Sequence, residues 1–254
     1  MPRGGQAWGY AHGQWFEAVK LLLTRPREQA EALAIKLRAR DIDVWIEPML
    51  SIIPHTNVKL ETHDYQALLV TSSNGADSLA EATTRRDLKL YVVGDVTAAT
   101  LSHHGFADVW SADGNVDDLA AMVEKDVDPS EGSLLHVGGV YLAGDLVSRL
   151  RSSGYKTRHV ALYHTVAAST LTQEARCAMA NKEIDGVLFF SPGTARIFVA
   201  LVSGALCEKA LVDMTAFCLS EAVAKAANRA SWGHLVVSDR PAAASLIAAV
   251  MAAQ

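Results

Sequence analysis

Four short polar segments, each rich in serine, threonine or glycine, follow apolar runs where a strand would end. They are Ser72-Ser73-Asn74-Gly75, Gly94-Asp95-Val96-Thr97, Gly138-Gly139 and Ser191-Pro192-Gly193-Thr194. Each precedes a predicted helix, and the first backbone N–H groups of a helix have no acceptor within it. With the neighbouring hydroxyl groups, these donors predict a site for carboxylates or phosphates. The alternative is that Ser73, Asn74 and Thr97 only cap helices.

The sequence lacks the motifs of several common catalytic classes. It has no G-x-x-x-x-G-K-[ST] loop, no well-placed G-x-G-x-x-G and no G-x-S-x-G elbow. The adjacent pair His103-His104 has no partners at metal-ligand spacing. Cys177, Cys207 and Cys218 show no paired spacing, which favours a reducing compartment. We therefore expect a protein without metal, nucleotide or other cofactor, which works by positioning, proton transfer and electrostatics.

Two internal repeats indicate which elements position the polar segments. Leu21–Leu50 aligns without a gap to Leu134–Tyr163, and Ala67–Ala76 aligns to Gly186–Ala195. The first repeat has the pattern strand-helix-strand, and the second is an apolar strand that opens onto a polar loop. Because strands alternate with helices throughout, the sheets are expected to be parallel.

The repeats predict an α/β fold of two flavodoxin-like, doubly wound domains, each with a five-stranded parallel sheet and joined by two extended tethers. Ligands of open parallel sheets bind beyond the carboxyl ends of the strands, so the cleft between the domains is the predicted site. The predicted segments are a flexible tail at residues 1–19, one domain at 20–47 plus 169–254, tethers at 48–56 and 164–168, and a second domain at 57–163.

Composition disfavours two classes of partner. The formal net charge is −5, and lysine and arginine are scattered along the chain, which disfavours nucleic-acid binding. Although 50% of the residues are hydrophobic, no apolar run approaches the ~20 residues that span a bilayer. We expect a cytoplasmic protein with a small-molecule ligand and no nucleic-acid or membrane partner.

The chain resembles the uroporphyrinogen-III synthase family over about residues 21–250. The motifs that carry the resemblance are Leu22-Leu23-Thr24-Arg25-Pro26, Leu69-Val70-Thr71-Ser72-Ser73-Asn74-Gly75, Tyr91-Val92-Val93-Gly94 with Thr97-Ala98, Leu162-Tyr163-His164-Thr165-Val166, and Phe189-Phe190-Ser191-Pro192. The resemblance implies a monomeric, cofactor-free lyase of tetrapyrrole (haem) biosynthesis. Such an enzyme cyclises linear hydroxymethylbilane to uroporphyrinogen III, with loss of water and inversion of ring D through a spiro intermediate. It also implies a hand-off from hydroxymethylbilane synthase.

The resemblance implies roles for individual residues. Tyr163 matches the tyrosine that is proposed to hydrogen-bond the departing hydroxyl group, a role open to a phenol with a pKa of about 10. Arg25 is the expected charge partner of a substrate carboxylate. The other expected substrate-binding residues are Ser72, Ser73, Asn74, Gly94, Thr97, Gly139, Ser191, Thr194 and Ser220.

One departure from the family pattern leaves alternatives open. Where many members carry Gly-x-x-Thr-Ala, this chain has Leu219-Ser220-Glu221-Ala222-Val223, so Ser220 would replace the threonine and Glu221 would repel a polyanion. One alternative draws on this departure and is a degenerate paralogue with only a scaffolding role. A second alternative is a non-catalytic two-domain protein that closes on a small anion or a flavin phosphate. For Tyr163 itself, the alternative to a catalytic role is a packed aromatic residue at a hinge.

Overall fold

The computed structural model describes residues 9–11, 14–16, 19–56, 58–142, 144–205 and 207–253. The chain divides into two compact units. Unit 1 comprises Met1–Ser51 and Ala167–Gln254, and unit 2 comprises Ile52–Val166. Both boundaries between the units fall within segments that the sequence analysis assigned to the tethers.

Strands and helices alternate along the chain. In order they are β1 (Gly9–Ala11), β2 (Gln14–Phe16), β3 (Lys20–Leu23), α1 (Arg27–Arg38), β4 (Asp43–Ile46), β5 (Leu50–Pro54), β6 (Tyr65–Val70), α2 (Ser73–Ala82), β7 (Lys89–Val92), α3 (Asp95–His103), β8 (Asp108–Ser111), α4 (Val116–Asp126), β9 (Ser133–Gly139), α5 (Leu146–Ser152), β10 (Thr157–Ala167), α6 (Gln173–Ala180), β11 (Gly186–Phe189), α7 (Pro192–Gly204), β12 (Thr215–Cys218), α8 (Glu221–Ala227), β13 (His234–Val237) and α9 (Ala243–Ala252). A 3₁₀ helix at Glu208–Asp213 precedes β12. The antiparallel pair of β1 and β2 lies within the predicted tail, whose other residues before Val19 lie outside the described part.

Unit 1 contains the predicted five-stranded parallel sheet, in the order β13-β12-β11-β3-β4. Strand β3 is buried on both faces because successive side chains of a strand point to opposite sides. Leu22 packs into one hydrophobic cluster with α6, α7 and α8, whereas Leu21 and Leu23 pack into the other with α1 and α9. Helices therefore cover both faces, as predicted. The apolar face predicted for α1 is buried and consists of Ala30, Leu33, Ala34 and Leu37.

Unit 2 contains a six-stranded sheet in the order β5-β10-β9-β6-β7-β8, and the pairs from β10 to β8 are parallel. The prediction of five strands is wrong here because β5, which falls within the tether predicted at residues 48–56, lies next to β10 and forms a sixth strand. The backbone N–H of His55, just after β5, donates to the carbonyl oxygen of Leu162 at 2.7 Å. Two extended segments side by side satisfy backbone groups that would otherwise lack partners.

Both faces of the six-stranded sheet are covered as well. In β6, Leu68 and Val70 pack into one cluster with residues of α2 and α3, whereas Ala67 and Leu69 pack into the other with residues of α4 and α5. The doubly wound arrangement predicted for this unit is confirmed. Among the described residues, no helix has both the length and the apolar character needed to cross a membrane.

Candidate functional site

Most of the predicted site residues follow the strands at one edge of the six-stranded sheet. Strand β6 ends just before Ser72, β7 ends just before Gly94, and β9 ends at Gly139. Tyr163 lies in β10 directly opposite Gly139. Because β10, β9, β6 and β7 are neighbours and parallel, their carboxyl ends meet at the same edge. We call this region the carboxyl edge of unit 2.

The hydroxyl groups of Tyr163 and Ser72 form a hydrogen bond across this edge, with Oη and Oγ 3.2 Å apart. Ser72 is also the N-cap of α2, and its Oγ accepts a hydrogen bond from the backbone N–H of Gly75 at 3.1 Å. The hydroxyl hydrogen of Ser72 remains available for Tyr163. In that arrangement the phenolic proton of Tyr163, whose side chain is only 7% exposed, is free for a ligand.

Gly138 and Gly139 do not form the loop that the sequence predicted, because both belong to β9. A Cβ atom on Gly139 would lie 2.7 Å from Cε2 and 2.9 Å from Cζ of Tyr163. The absent side chain therefore leaves the space that the tyrosine ring occupies. In this structure Gly139 therefore allows the ring of Tyr163 to pack directly against the β9 backbone.

Two helices begin at the carboxyl edge of unit 2 and direct backbone N–H groups toward it. Ser73 and Asn74 are the first residues of α2, and Thr97 is the third residue of α3. The N-cap residues are Ser72 and Gly94, so the alternative that Ser73, Asn74 and Thr97 cap these helices is wrong. The backbone N–H of Thr97 donates to the carbonyl oxygen of Gly94 at 3.0 Å, and its side chain is buried.

Arg25 follows β3 at the corresponding edge of unit 1. Its guanidinium carbon lies 4.6 Å from the centroid of the Phe190 ring, and its Nε and Nη2 donate to Oε1 of Gln29 at 3.1 and 2.7 Å. Burial lowers the pKa of Arg25 from its ordinary value. The stacking and the hydrogen bonds restrict the guanidinium, while Nη1 has no acceptor among the described residues.

Ser191 and Thr194 interact with each other at the start of α7. Ser191 is the N-cap, and its Oγ accepts a hydrogen bond from the backbone N–H of Thr194 at 3.2 Å. The hydroxyl of Thr194 donates to the carbonyl oxygen of Ser191 at 3.0 Å. Ser191 occupies in this unit the place that Ser72 occupies in unit 2, as the second sequence repeat predicts.

Ser220 lies beside an acidic cavity. It is the N-cap of α8 but its side chain forms no capping hydrogen bond. It lines a cavity of about 420 Å³ together with Glu221 and Asp239. Because two carboxylates border this cavity, it is electrostatically unfavourable for a ligand that itself carries carboxylates.

The sequence analysis missed a buried histidine at the carboxyl edge of unit 2. His136 in β9 is 2% exposed, its Nε2 lies 3.2 Å from Oγ1 of Thr71, and its ring centroid lies 5.3 Å from that of His159. Burial lowers the pKa of His136 to about 4, and the charge of His159 contributes to the same shift. The sequence did contain a signal, because a histidine occurs in each of the two predicted strands that became β9 and β10. In the structure His136 and His159 lie opposite each other in this parallel pair.

We expect the protein to lose stability as the pH falls from about 6.5 to 4. The folded state holds His136 neutral, whereas the unfolded chain protonates it at its ordinary pKa near 6.5, so protons bind preferentially to the unfolded state in this window. The difference is worth about 3 kcal/mol at pH 4. Urea denaturation of the wild type and of His136→Leu between pH 7 and 4 measures it. An unchanged pH slope in the variant would contradict the assignment.

Ser72→Ala is expected to lower the free energy of unfolding by about 1 kcal/mol. The substitution removes the acceptor of the Gly75 N–H, which leaves the first turn of α2 uncapped, and it also removes the hydrogen bond to Tyr163. Ser220→Ala is the matched control because Ser220 is also an N-cap but makes no capping bond. We expect this second variant to stay within about 0.5 kcal/mol of the wild type. Equal losses in the two variants, measured by urea denaturation, would show that the cap is not the cause.

Comparison with known proteins gives one family. The family model described as uroporphyrinogen-III synthase HemD matches residues 31–248. A curated relative from Ruminiclostridium josui, named porphyrin biosynthesis protein HemD, is 26% identical over 234 residues. The alignment covers 85% of this chain and 45% of the relative, so the chain spans about half the length of the curated relative it matches.

Two solved structures share the fold. The uroporphyrinogen-III synthetase of Helicobacter pylori aligns with a TM-score of 0.63 at 13% identity and covers 93% of this chain and 100% of its own. A mutant uroporphyrinogen III synthase from the extremely thermophilic bacterium Thermus thermophilus aligns with a TM-score of 0.55 at 16% identity, over 93% of this chain and 98% of its own. The two-unit α/β architecture is therefore one that solved proteins already display.

Proposed function

We propose that this chain cyclises linear hydroxymethylbilane to uroporphyrinogen III. The chain belongs to the uroporphyrinogen-III synthase HemD family. The reaction removes water and inverts ring D through a spiro intermediate. The observation that carries the proposal is the hydrogen-bonded pair of Tyr163 and Ser72, which lies at a strand edge rich in donors for carboxylates. We assign the role of proton donor to the phenol of Tyr163.

Loss of the substrate hydroxyl group is the step assigned to Tyr163. As the carbon–oxygen bond breaks, the phenol donates a proton so that water leaves and a cationic azafulvene remains. The last pyrrole then attacks through its substituted carbon to form the spiro intermediate. Ser72, by donating its own hydroxyl hydrogen to Tyr163, would stabilise the negative charge that develops on the phenolic oxygen.

We assign the binding of the substrate carboxylates to the other predicted binding residues of the two units. In unit 2 these are the side chains of Ser73, Asn74 and Thr97 and the backbone N–H groups at the starts of α2 and α3, including that of Gly94. In unit 1 we assign the same role to Arg25, Ser191 and Thr194 and, less favourably because of its acidic cavity, to Ser220. Helix N-termini bind anions through their backbone N–H groups, and a guanidinium can bind a carboxylate through two hydrogen bonds.

The chemistry of the substrate also suggests how the protein operates. Hydroxymethylbilane closes without catalysis to the type I isomer, so a short transit between enzymes favours the type III product. We propose that the chain acts as a cytoplasmic monomer that receives its substrate from hydroxymethylbilane synthase. Tyr163 and its hydrogen-bond partner Ser72 belong to the same chain, which is consistent with a monomer.

A bacterial strain that lacks uroporphyrinogen-III synthase and depends on added haem tests the proposal, because it asks whether this chain alone supplies the step. Expression of the chain is expected to restore growth without haem. Failure to restore growth by a folded, soluble chain would contradict the proposed function. A gain of thermal stability from flavin mononucleotide in such a protein would support the binding-protein alternative instead.

A further inference from the structure

Thr71 lies between the end of β6 and Ser72 and is in contact with the buried histidine of β9. Its Oγ1 lies 3.2 Å from Nε2 of His136. The Thr71 hydroxyl has no other hydrogen-bond partner among the described residues, and the side chain is half-buried. One side of this hydroxyl therefore contacts His136, and the other side is not engaged by the described part of the protein.

The two nitrogens of His136 differ in a way that selects one tautomer. Nδ1 is buried and has no hydrogen-bond partner among the described residues, whereas Nε2 faces the hydroxyl of Thr71. If Nδ1 carried the proton, a buried N–H would lack an acceptor, which is rare in folded proteins and costly. With the proton on Nε2, only a lone pair remains unpaired. Nε2–H therefore donates to Oγ1 of Thr71.

This direction of donation determines what the Thr71 hydroxyl can do. Since its oxygen accepts from His136, its hydrogen must point away from the histidine ring. Thr71 directly precedes Ser72, whose hydroxyl contacts Tyr163. The hydrogen of Thr71 is therefore available to a ligand bound at the carboxyl edge of unit 2.

We propose that His136 is a positioning residue that makes Thr71 a hydroxyl donor for a carboxylate of the substrate. The inference rests on the proposed function, which supplies a ligand with carboxylates. It adds Thr71 as a binding residue and gives a use for the buried His136, which would otherwise only weaken the fold at low pH. His159 faces the same ring, with the two ring centroids 5.3 Å apart.

The tautomer is measurable in the wild-type protein by long-range ¹⁵N–¹H NMR of the histidine rings at pH 7.5. For His136 we expect a protonated Nε2 and an unprotonated Nδ1, assigned by loss of the signal in a His136 variant. A proton on Nδ1 would reverse the direction of the hydrogen bond and overturn the proposal. This measurement needs no substrate, so its outcome does not depend on the proposed function.

A double-mutant cycle of Thr71 and His136 tests whether His136 helps Thr71 to bind the substrate. Thr71→Val keeps the side-chain shape and is expected to raise KM for hydroxymethylbilane about tenfold, with kcat little changed. His136→Leu is expected to raise KM about threefold in the wild-type background and not at all in the Thr71→Val background, because no hydroxyl remains to be oriented. His136→Gln, whose amide N–H can replace Nε2–H, should return KM most of the way to the wild-type value.

A merely structural role for His136 gives a different pattern. His136→Leu would then change KM by the same factor in both backgrounds, and that additivity would overturn the proposal. Wild-type protein without any turnover would instead overturn the proposed function, and the NMR result would still decide how the Thr71 hydroxyl is oriented. If His136→Leu does not fold, the tautomer and the His136→Gln variant decide the question.

Discussion

Tyr163→Phe is expected to lower kcat by about 10²-fold, the usual contribution of a general acid. The variant keeps the aromatic ring and hence its packing on Gly139, but it loses the only group that we assign to protonation of the leaving hydroxyl. The free energy of unfolding should fall by no more than about 1 kcal/mol, because one hydrogen bond to Ser72 is lost. Turnover of hydroxymethylbilane generated in situ and urea denaturation measure the two quantities.

Tyr155→Phe provides the matched control in the same unit. Tyr155 is buried, and its hydroxyl donates to the carbonyl oxygen of Val127 at 2.8 Å, with the carbonyl oxygens of Glu124 and Val123 at 3.3 and 3.4 Å, so the substitution also removes a phenolic donor. We expect a loss of stability of about 1 kcal/mol with wild-type kcat. Wild-type kcat in Tyr163→Phe, or equal kcat losses in both variants, would remove Tyr163 from the mechanism.

Gly139→Ala is the second substitution with a large expected effect. The new methyl group would lie within 3 Å of two ring carbons of Tyr163. The ring is buried, so it must shift, and the shift breaks the 3.2 Å contact between its hydroxyl and Ser72. We expect kcat to fall at least about tenfold and the free energy of unfolding to fall by about 1–3 kcal/mol. The same turnover and denaturation measurements apply.

Gly204→Ala is the same substitution at a position with room for it. Gly204 is the last residue of α7, and apart from its chain neighbours and the backbone of its own helix no described heavy atom lies within 4 Å of an added Cβ atom. We expect unchanged turnover and a stability equal to or slightly above that of the wild type. If Gly139→Ala behaved like this control, the close packing between Gly139 and Tyr163 would not matter for catalysis.

Much of the fold could be predicted from the sequence because it depends on local patterns that occur twice. The alternation of buried side chains in β3 and the helical spacing of Leu33 and Leu37 each depend on a few neighbouring residues. The second repeat likewise predicted that Ser72 and Ser191 would follow equivalent strands, and both are N-caps. Because each pattern occurs twice in the chain, each occurrence supported the prediction made from the other.

The features that the sequence analysis missed depend on pairing between distant segments. Nothing in residues 50–54 alone shows that this strand would lie beside β10 and enlarge the sheet. Gly138-Gly139 has the composition of a turn, and only its register with Tyr163 explains why two glycines end a strand. The contact between Thr71 and His136 likewise requires β6 and β9 to be neighbours.

The isomer composition of the product is the most direct test of the central claim. Purified protein would receive hydroxymethylbilane made in situ, and the oxidised porphyrins would be separated by chromatography. The account predicts a dominant type III isomer with wild-type protein and a falling share of type III with Tyr163→Phe, as uncatalysed closure competes. Type I alone, from wild-type protein shown to be folded, would contradict it.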